Sequence, residues 1–211
     1  MSEGATRDLI VDMGRSMFER RLTFGSSGNI SVRIDGGWLM TPTGSSLGRL
    51  DPARLSKLDG NGKLISGDPA TKESFLHLAM YAKRGTAGAV VHLHATHSVA
   101  VSCLAGIDHD DVLPPITAYY VMRVGTLPLV PYYAPGDMAL GDAVGALAAK
   151  HSAMLLANHG PVVAGSSLSA AIDAIEELEE TARLYLLLHG RPTRYLNAQQ
   201  IADLKQRFPP A

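Results

Sequence analysis

The sequence predicts an α/β fold: a three-layer α/β/α sandwich around a mixed, largely antiparallel central sheet. Two observations carry this reading. Stretches with helical apolar spacing alternate with short strand-like runs along the whole chain, and glycine turns join several of those runs directly, as antiparallel neighbours require. Two apolar runs, Ala89-Val90-Val91 and Ala153-Met154-Leu155-Leu156-Ala157, have the character of buried strands. At 211 residues the chain can bury a real core, and a single domain over 1–211 is expected.

Taken in order, Leu9, Ile10, Met13, Met17 and Phe18 fall at helical spacing and predict an amphipathic helix over about 6–21. The small-residue loop Gly25-Ser26-Ser27-Gly28-Asn29 feeds an alternating strand over 30–34. Asp35-Gly36-Gly37 is a turn, and Trp38-Leu39-Met40 the return strand. A second glycine loop, Thr41-Pro42-Thr43-Gly44-Ser45-Ser46, follows, and residues 56–65 predict another hairpin around Asp59-Gly60-Asn61-Gly62. Asp68-Pro69-Ala70-Thr71 opens a helix over about Lys72–Arg84. Thr71 is its expected N-cap, Glu73 lies in its first turn, and Phe75, Leu78, Ala79 and Ala82 form its inner face. After the run ending at Val91, Ser98–Leu104 predicts a short helix with His97 near its start as a polar cap-region residue, and 105–117 a loop. Leu127–Tyr132 is apolar and proline-flanked, an edge strand. A small-residue helix runs to Lys150. Ser167 caps a long helix over Leu168–His189, ended by Gly190 and Pro192, with Glu176–Glu180 as a solvated or subunit-facing side; residues 198–207 add a terminal helix.

The chemistry concentrates at His92-Leu93-His94. On a strand these two histidines share one face while Leu93 points the other way, half of a three-histidine metal site. An isolated H-x-H is more often a pair of half-exposed histidines; a third ligand reverses that reading. His159, at the end of the second buried strand between Asn158 and Gly160, supplies it. Gly28-Asn29 and Thr43-Gly44-Ser45 offer backbone N–H groups, an amide and hydroxyls in a form suited to a phosphate dianion, although either loop alone is more often only a tight turn. Neither has the spacing of a nucleotide-binding fingerprint, so a phosphate here belongs to a small substrate. Glu73 is accounted for by the helix dipole alone, or else aims its carboxylate at the metal, and Lys72 adds a positive charge for a phosphate or carboxylate.

Composition removes several classes of function. A net charge of −1 and the absence of any Lys/Arg cluster exclude nucleic acid as the expected partner. No apolar run reaches membrane-spanning length, and residues 1–20 carry charges of both signs, unlike a signal peptide. The one cysteine, Cys103, has no internal disulfide partner and is expected to be buried and inert; a cytoplasmic location is expected.

Five ordered segments, Gly28-Asn29-Ile30-Ser31, Thr41-Pro42-Thr43-Gly44, Lys72-Glu73, His92-Leu93-His94 and Asn158-His159-Gly160, resemble the class II aldolase/adducin superfamily over nearly the whole chain. The resemblance implies one divalent metal per subunit, usually zinc, on His92, His94 and His159. Glu73 would be the proton acceptor and an additional ligand when no substrate is bound. Gly28, Asn29, Thr43 and Gly44, with Thr71 and Lys72, would hold the substrate phosphate. It also implies a catalytic tyrosine, assigned to Tyr119 with Tyr120 as its rival, and a homotetramer with sites near subunit boundaries.

Within the superfamily, Thr71–Phe75, Ala118–Gly125, Pro131–Asp137 and Leu155–Val163 are most similar to the 3-oxo-tetronate 4-phosphate decarboxylases. That branch implies metal-dependent loss of CO2 from a phosphorylated β-keto acid through an enediolate, giving dihydroxyacetone phosphate in four-carbon acid sugar catabolism. Two alternatives stand beside it. A sugar-phosphate aldolase or pentulose-phosphate 4-epimerase would use the same site and differ in products. An adducin-like interaction module would keep the fold but has no use for an intact Glu73, His92, His94 and His159.

Overall fold

The computed structural model describes residues 1–208, so the last three residues of the expected domain, 209–211, lie outside the described residues. β1 (Asn29–Ile34) and β2 (Gly37–Met40) form the first predicted hairpin, and β3 (Ser56–Asp59) and β4 (Leu64–Ser66) the second. β5 (Ala89–His92), β6 (Leu129–Val130), β7 (Ala153–Leu156) and β8 (Gly160–Gly165) complete a sheet in the order β4-β3-β2-β1-β5-β8-β7-β6. Every neighbouring pair is antiparallel except β6 with β7. This is the mixed, largely antiparallel sheet expected.

The helices are α1 (Glu3–Glu19), α2 (Ser74–Lys83), α3 (Thr96–Ser102), α4 (Ala118–Arg123), α5 (Ala139–Ala148), α6 (Leu168–Leu188) and α7 (Ala198–Arg207). Side-chain alternation along the strands divides the core in two. Ala89, Val91, Leu155 and Val163 face α1, α3, α4 and α6, whereas Val90, Met154, Leu156 and Val162 face α2 and α5. Two cores on opposite faces of one sheet make the three-layer sandwich.

Several local readings are corrected. α2 begins at Ser74, not at Lys72: Glu73 is its N-cap residue, and the Thr71 hydroxyl accepts the Glu73 N–H at 3.3 Å. Its deepest residues are Leu76, His77, Met80 and Tyr81, whereas Ala82 is exposed and Phe75 and Ala79 pack towards α5. Hydropathy ranks His77 and Tyr81 as surface residues, but each meets a hydrogen-bonding partner on β1 and is buried for that reason. β8 was not anticipated, because Pro161 reads as a terminator; it sits near the start of the strand, where the missing N–H is tolerated. Cys103 is exposed, at the C-cap of α3, rather than buried.

The acidic run on α6 is not a uniformly solvated face. Glu176 pairs with Arg20, Glu177 accepts from the Thr117 hydroxyl at 3.0 Å, and Glu179 is buried. The Glu179 carboxylate accepts the backbone N–H groups of His97 and Ser98 at 2.9 and 2.8 Å, the Ser98 hydroxyl at 2.6 Å and the His97 ring Nδ1–H at 2.8 Å. It therefore caps α3 from outside that helix, satisfying first-turn donors for which α3 has no side-chain N-cap of its own. Glu179→Ala is expected to cost about 1–3 kcal/mol of unfolding free energy, while Glu180→Ala on the exposed side changes it by about 0.5 kcal/mol or less. Equal denaturation midpoints for the two variants would refute this role for Glu179.

Candidate metal centre and substrate cavity

Four side chains converge at one end of the central strands. His92 ends β5; His94 lies two residues on; His159 occupies the turn between β7 and β8; Glu73 stands at the N-cap position of α2, its side chain turned away from the helix N–H groups. The turn is shaped for this. Asn158 adopts a left-handed backbone (φ 56°), and Gly160 (φ 152°) lies so close to β5 that a Cβ there would sit 2.3 Å from the Leu93 carbonyl oxygen. Gly28 (φ 79°) approaches β5 in the same way, its missing Cβ 3.1 Å from the His92 carbonyl oxygen. The two glycines let the turn and the small-residue loop close onto the histidine strand.

One ligand atom from each of Glu73, His92, His94 and His159 lies within 4.8 Å of the other three. His159 Nε2 is 3.1 Å from His94 Nε2 and 3.2 Å from Glu73 Oε1; His92 Nε2 is 3.6 Å from Glu73 Oε2. Four ligands about 2.0–2.2 Å from a common centre require separations of about this size. His92 provides the sharper test of fit. Its Nδ1–H donates to the Pro161 carbonyl at 2.8 Å, which leaves Nε2 as the lone-pair nitrogen, and that atom is buried without a hydrogen-bond partner. A buried acceptor left unpaired is costly, whereas a cation held by the cluster would satisfy it. The residues present fit a divalent metal.

The electrostatics agree. Burial pushes His92 down to about 3 and also lowers His94, so both imidazoles stay neutral, as metal ligands must be. Burial alone would raise the Glu73 carboxyl, but the facing His92 and the hydrogen bonds from His159 and Asn29 outweigh it and hold the group well below the usual carboxylate range.

The cluster opens into a cavity of about 890 Å³. Gly28, Asn29, Thr43, Gly44, Thr71, Lys72, Glu73, His94 and His159 all line it, and His92 stands buried behind. The two loops are held together by backbone pairing: Pro42 bridges Ala70, Thr43 N–H donates to the Pro69 carbonyl, and Thr71 N–H to the Thr41 carbonyl. That pairing puts Thr43-Gly44 beside Thr71-Lys72-Glu73. Tyr119 is elsewhere: it is 59% exposed on α4, with the Arg123 guanidinium over its ring, and does not line this cavity. Tyr120 belongs to the core. Tyr132, Tyr133 and Asn158 also line the cavity, beyond the site residues the sequence predicts. The proline-bracketed Pro131-Tyr132-Tyr133-Ala134-Pro135, following an edge strand, was the available signal for the tyrosines.

The family model for the Class II Aldolase and Adducin N-terminal domain matches residues 8–186, and the chain belongs to that family. It is 50% identical over 204 residues to the 3-oxo-tetronate 4-phosphate decarboxylase of Escherichia coli, covering 96% of each chain, and 49% identical over 208 residues to that of Haemophilus influenzae, covering 98% of this chain and 99% of the relative. To the L-fuculose phosphate aldolase of Escherichia coli it is 34% identical over 203 residues, covering 94% and 92%. The crystal structure of YgbL from Escherichia coli superposes with a TM-score of 0.94 at 50% identity, covering 96% of this chain and 99% of the other. Among the described residues no helix is long and apolar enough to cross a membrane.

Buried neutral histidines have a consequence for stability. Burial lowers His77, behind the site, from 6.5 to about 4, so between those values the unfolded chain binds a proton that the folded chain does not. The unfolded state then gains relative to the folded one as pH falls through that window, and His92 extends the same trend lower. Denaturant midpoints of metal-free protein are therefore expected to fall steadily at about pH 7.5, 6 and 5. Midpoints that hold constant or rise would refute neutral burial of these rings.

Proposed function

We propose that this protein is a zinc-dependent carboxy-lyase converting 3-oxo-tetronate 4-phosphate to dihydroxyacetone phosphate and CO2 in four-carbon acid sugar catabolism. The observation that carries the reading is identity of about one half, over almost the full length, to relatives bearing that activity in their names, against about one third for the fuculose phosphate aldolase. A bound divalent cation supplies Lewis acidity toward the ketone and neighbouring hydroxyl oxygens, where negative charge develops as the carboxylate departs.

His92, His94 and His159 hold the cation, with Glu73 as a further ligand before substrate arrives. Gly28, Asn29, Thr43, Gly44 and Thr71 bind the phosphate, with the Lys72 ammonium as counter-charge, and so fix the reacting carbon next to Glu73. The reaction consumes one proton, delivered to the hydroxyl-bearing carbon that loses CO2. Once substrate displaces its carboxylate from the cation, Glu73 relays that proton from solvent to the carbon, and Tyr119 reaches the site of a neighbouring subunit from its exposed position on α4 to donate or orient. The chain works as one domain over 1–211 and as a cytoplasmic homotetramer.

A product assay on the zinc-loaded protein tests the reading. Incubated with 3-oxo-tetronate 4-phosphate, it is expected to release CO2 and dihydroxyacetone phosphate in equal amounts, with release abolished by chelation and restored by zinc. Aldehyde formation from fuculose phosphate with no CO2 from the keto acid would reassign the reaction to aldol cleavage. Glu73→Gln is expected to lower kcat by about 10²–10⁴-fold in a folded protein. Near-normal turnover would remove Glu73 from proton transfer. Tyr119→Phe is expected to lower kcat with little change in KM, and mixing it with Glu73→Gln subunits should restore part of the activity if the tyrosine serves a neighbour; no restoration would refute the shared site.

A further inference from the structure

Behind Glu73 a line of buried polar groups runs into the core. Asn29 Nδ2 donates to Glu73 Oε2 at 2.7 Å; Asn29 Oδ1 is 2.5 Å from His77 Nε2; His77 Nδ1 is 2.7 Å from Ser31 Oγ; and Ser31 Oγ is 3.0 Å from the Tyr81 hydroxyl, which also donates to the Ser31 carbonyl at 3.1 Å. Asn29, Ser31, His77 and Tyr81 are all buried. Asn29 and Ser31 are alternate residues of β1, and His77 and Tyr81 are one helical turn apart on α2, so the strand and helix periods bring two pairs face to face.

Chemistry fixes the direction of the bonds between Ser31 and Glu73. An ionised carboxylate only accepts, so Asn29 must turn its NH2 to Glu73 and its carbonyl oxygen to His77. That oxygen also only accepts, so His77 carries its proton on Nε2. A neutral imidazole then has a lone pair on Nδ1, which takes the Ser31 hydroxyl hydrogen. Buried and without a carboxylate in hydrogen-bond contact, His77 is neutral, and the line is polarised one way from Ser31 to Glu73. The Asn29 amide interrupts any proton wire, so the line orients groups and does not conduct protons.

We propose that His77 is a positioning residue for the reaction: its Nε2–H tautomer, set by the Asn29 carbonyl oxygen and the Ser31 hydroxyl together, holds the Asn29 amide and thereby aims the Glu73 carboxylate at the histidine cluster. The proposal takes from the reading above that Glu73 acts on the substrate. Without His77, the Asn29 carbonyl oxygen loses its donor and the Glu73 carboxylate alone is left to orient the amide, whose flipped form would set a carbonyl oxygen against it. Asn29 also lines the cavity, so its orientation bears on the bound substrate as well.

Two measurements test this on zinc-loaded protein. In 15N spectra of histidine-labelled protein, the imidazole signals lost in His77→Gln are expected to be those of a neutral, Nε2-protonated ring; an Nδ1-protonated or doubly protonated ring would overturn the proposal. This reading needs no substrate, so it stands or falls separately from the decarboxylase assignment. In kinetics, His77→Leu is expected to lower kcat by about 10- to 100-fold, as for residues that orient groups at metal sites, with a much smaller change in KM. His77→Gln, whose amide N–H can still donate to Asn29, should recover most of the loss. Equal loss in folded Leu and Gln variants, or unchanged kcat in both, would overturn it. Should His77→Leu fail to fold, Ser31→Ala decides: loss of the single tautomer with reduced kcat supports the proposal, and an unchanged tautomer and rate refute it.

Discussion

Asn29 and His92 stand directly opposite each other where β1 pairs with β5, and two rungs on, on the same face, Ser31 stands opposite Val90. Cross-strand partners share a face, so this register puts an amide and an imidazole side by side on the α2 side of the sheet. On the other flank β8 brings the Pro161 carbonyl to His92 Nδ1, and the turn preceding β8 carries His159 over the strand end. Three neighbouring strands thus meet at His92. A one-residue slip in either pairing would turn the set to the opposite face, where α1, α3, α4 and α6 pack.

The arrangement runs against the usual preference of a sheet interior. Asn29, Ser31, His77 and His92 are buried polar residues in the layer between sheet and helix, where unpaired groups each cost free energy. Most of that cost is offset, because Ser31, His77, Asn29 and Glu73 satisfy one another in sequence. The exception is His92 Nε2. That unpaired atom is the one of these groups that faces Glu73 and the other two histidines. Glu179 performs a parallel task on the far face: by capping α3 it fixes the segment immediately after His94, and Thr96 and Val99 of that helix form part of the cavity wall.

Much of this was legible in the sequence, for identifiable reasons. His92-Leu93-His94 becomes a candidate ligand pair only because His159 ends a second buried run, and the hairpins are marked by glycine. What escaped depends on contacts between distant segments. Glu179 looks like its neighbours on an acidic helix, and only the arrival of α3 makes it a cap. His77 and Tyr81 were assigned no inward role because their partners lie on β1, more than forty positions away. Cys103 was expected inside on composition, yet its place at a helix end exposes it, where its sulfur meets the Asn158 amide at 3.4 Å. Tyr119 cannot be placed by periodicity, since its proposed role belongs to another subunit's cavity.

The cavity's charges also bear on how such a site would favour decarboxylation. Among the residues lining it, Lys72 is the one lysine or arginine and Glu73 the one carboxylate. The proposed substrate carries two anionic groups, a phosphate that persists and a carboxylate that becomes neutral CO2. A cation held on the carboxylate would stabilise the ground state and lose its partner as the bond breaks, raising the barrier. The same cation on the phosphate contributes equally before and after, and anchors the substrate without opposing the reaction. On the proposed reaction, Lys72 would therefore serve the phosphate end, beside Thr43 and Gly44, and the departing carboxylate would have no side-chain cation. Aldol cleavage would place no such constraint on Lys72, because there the departing fragment is a neutral aldehyde.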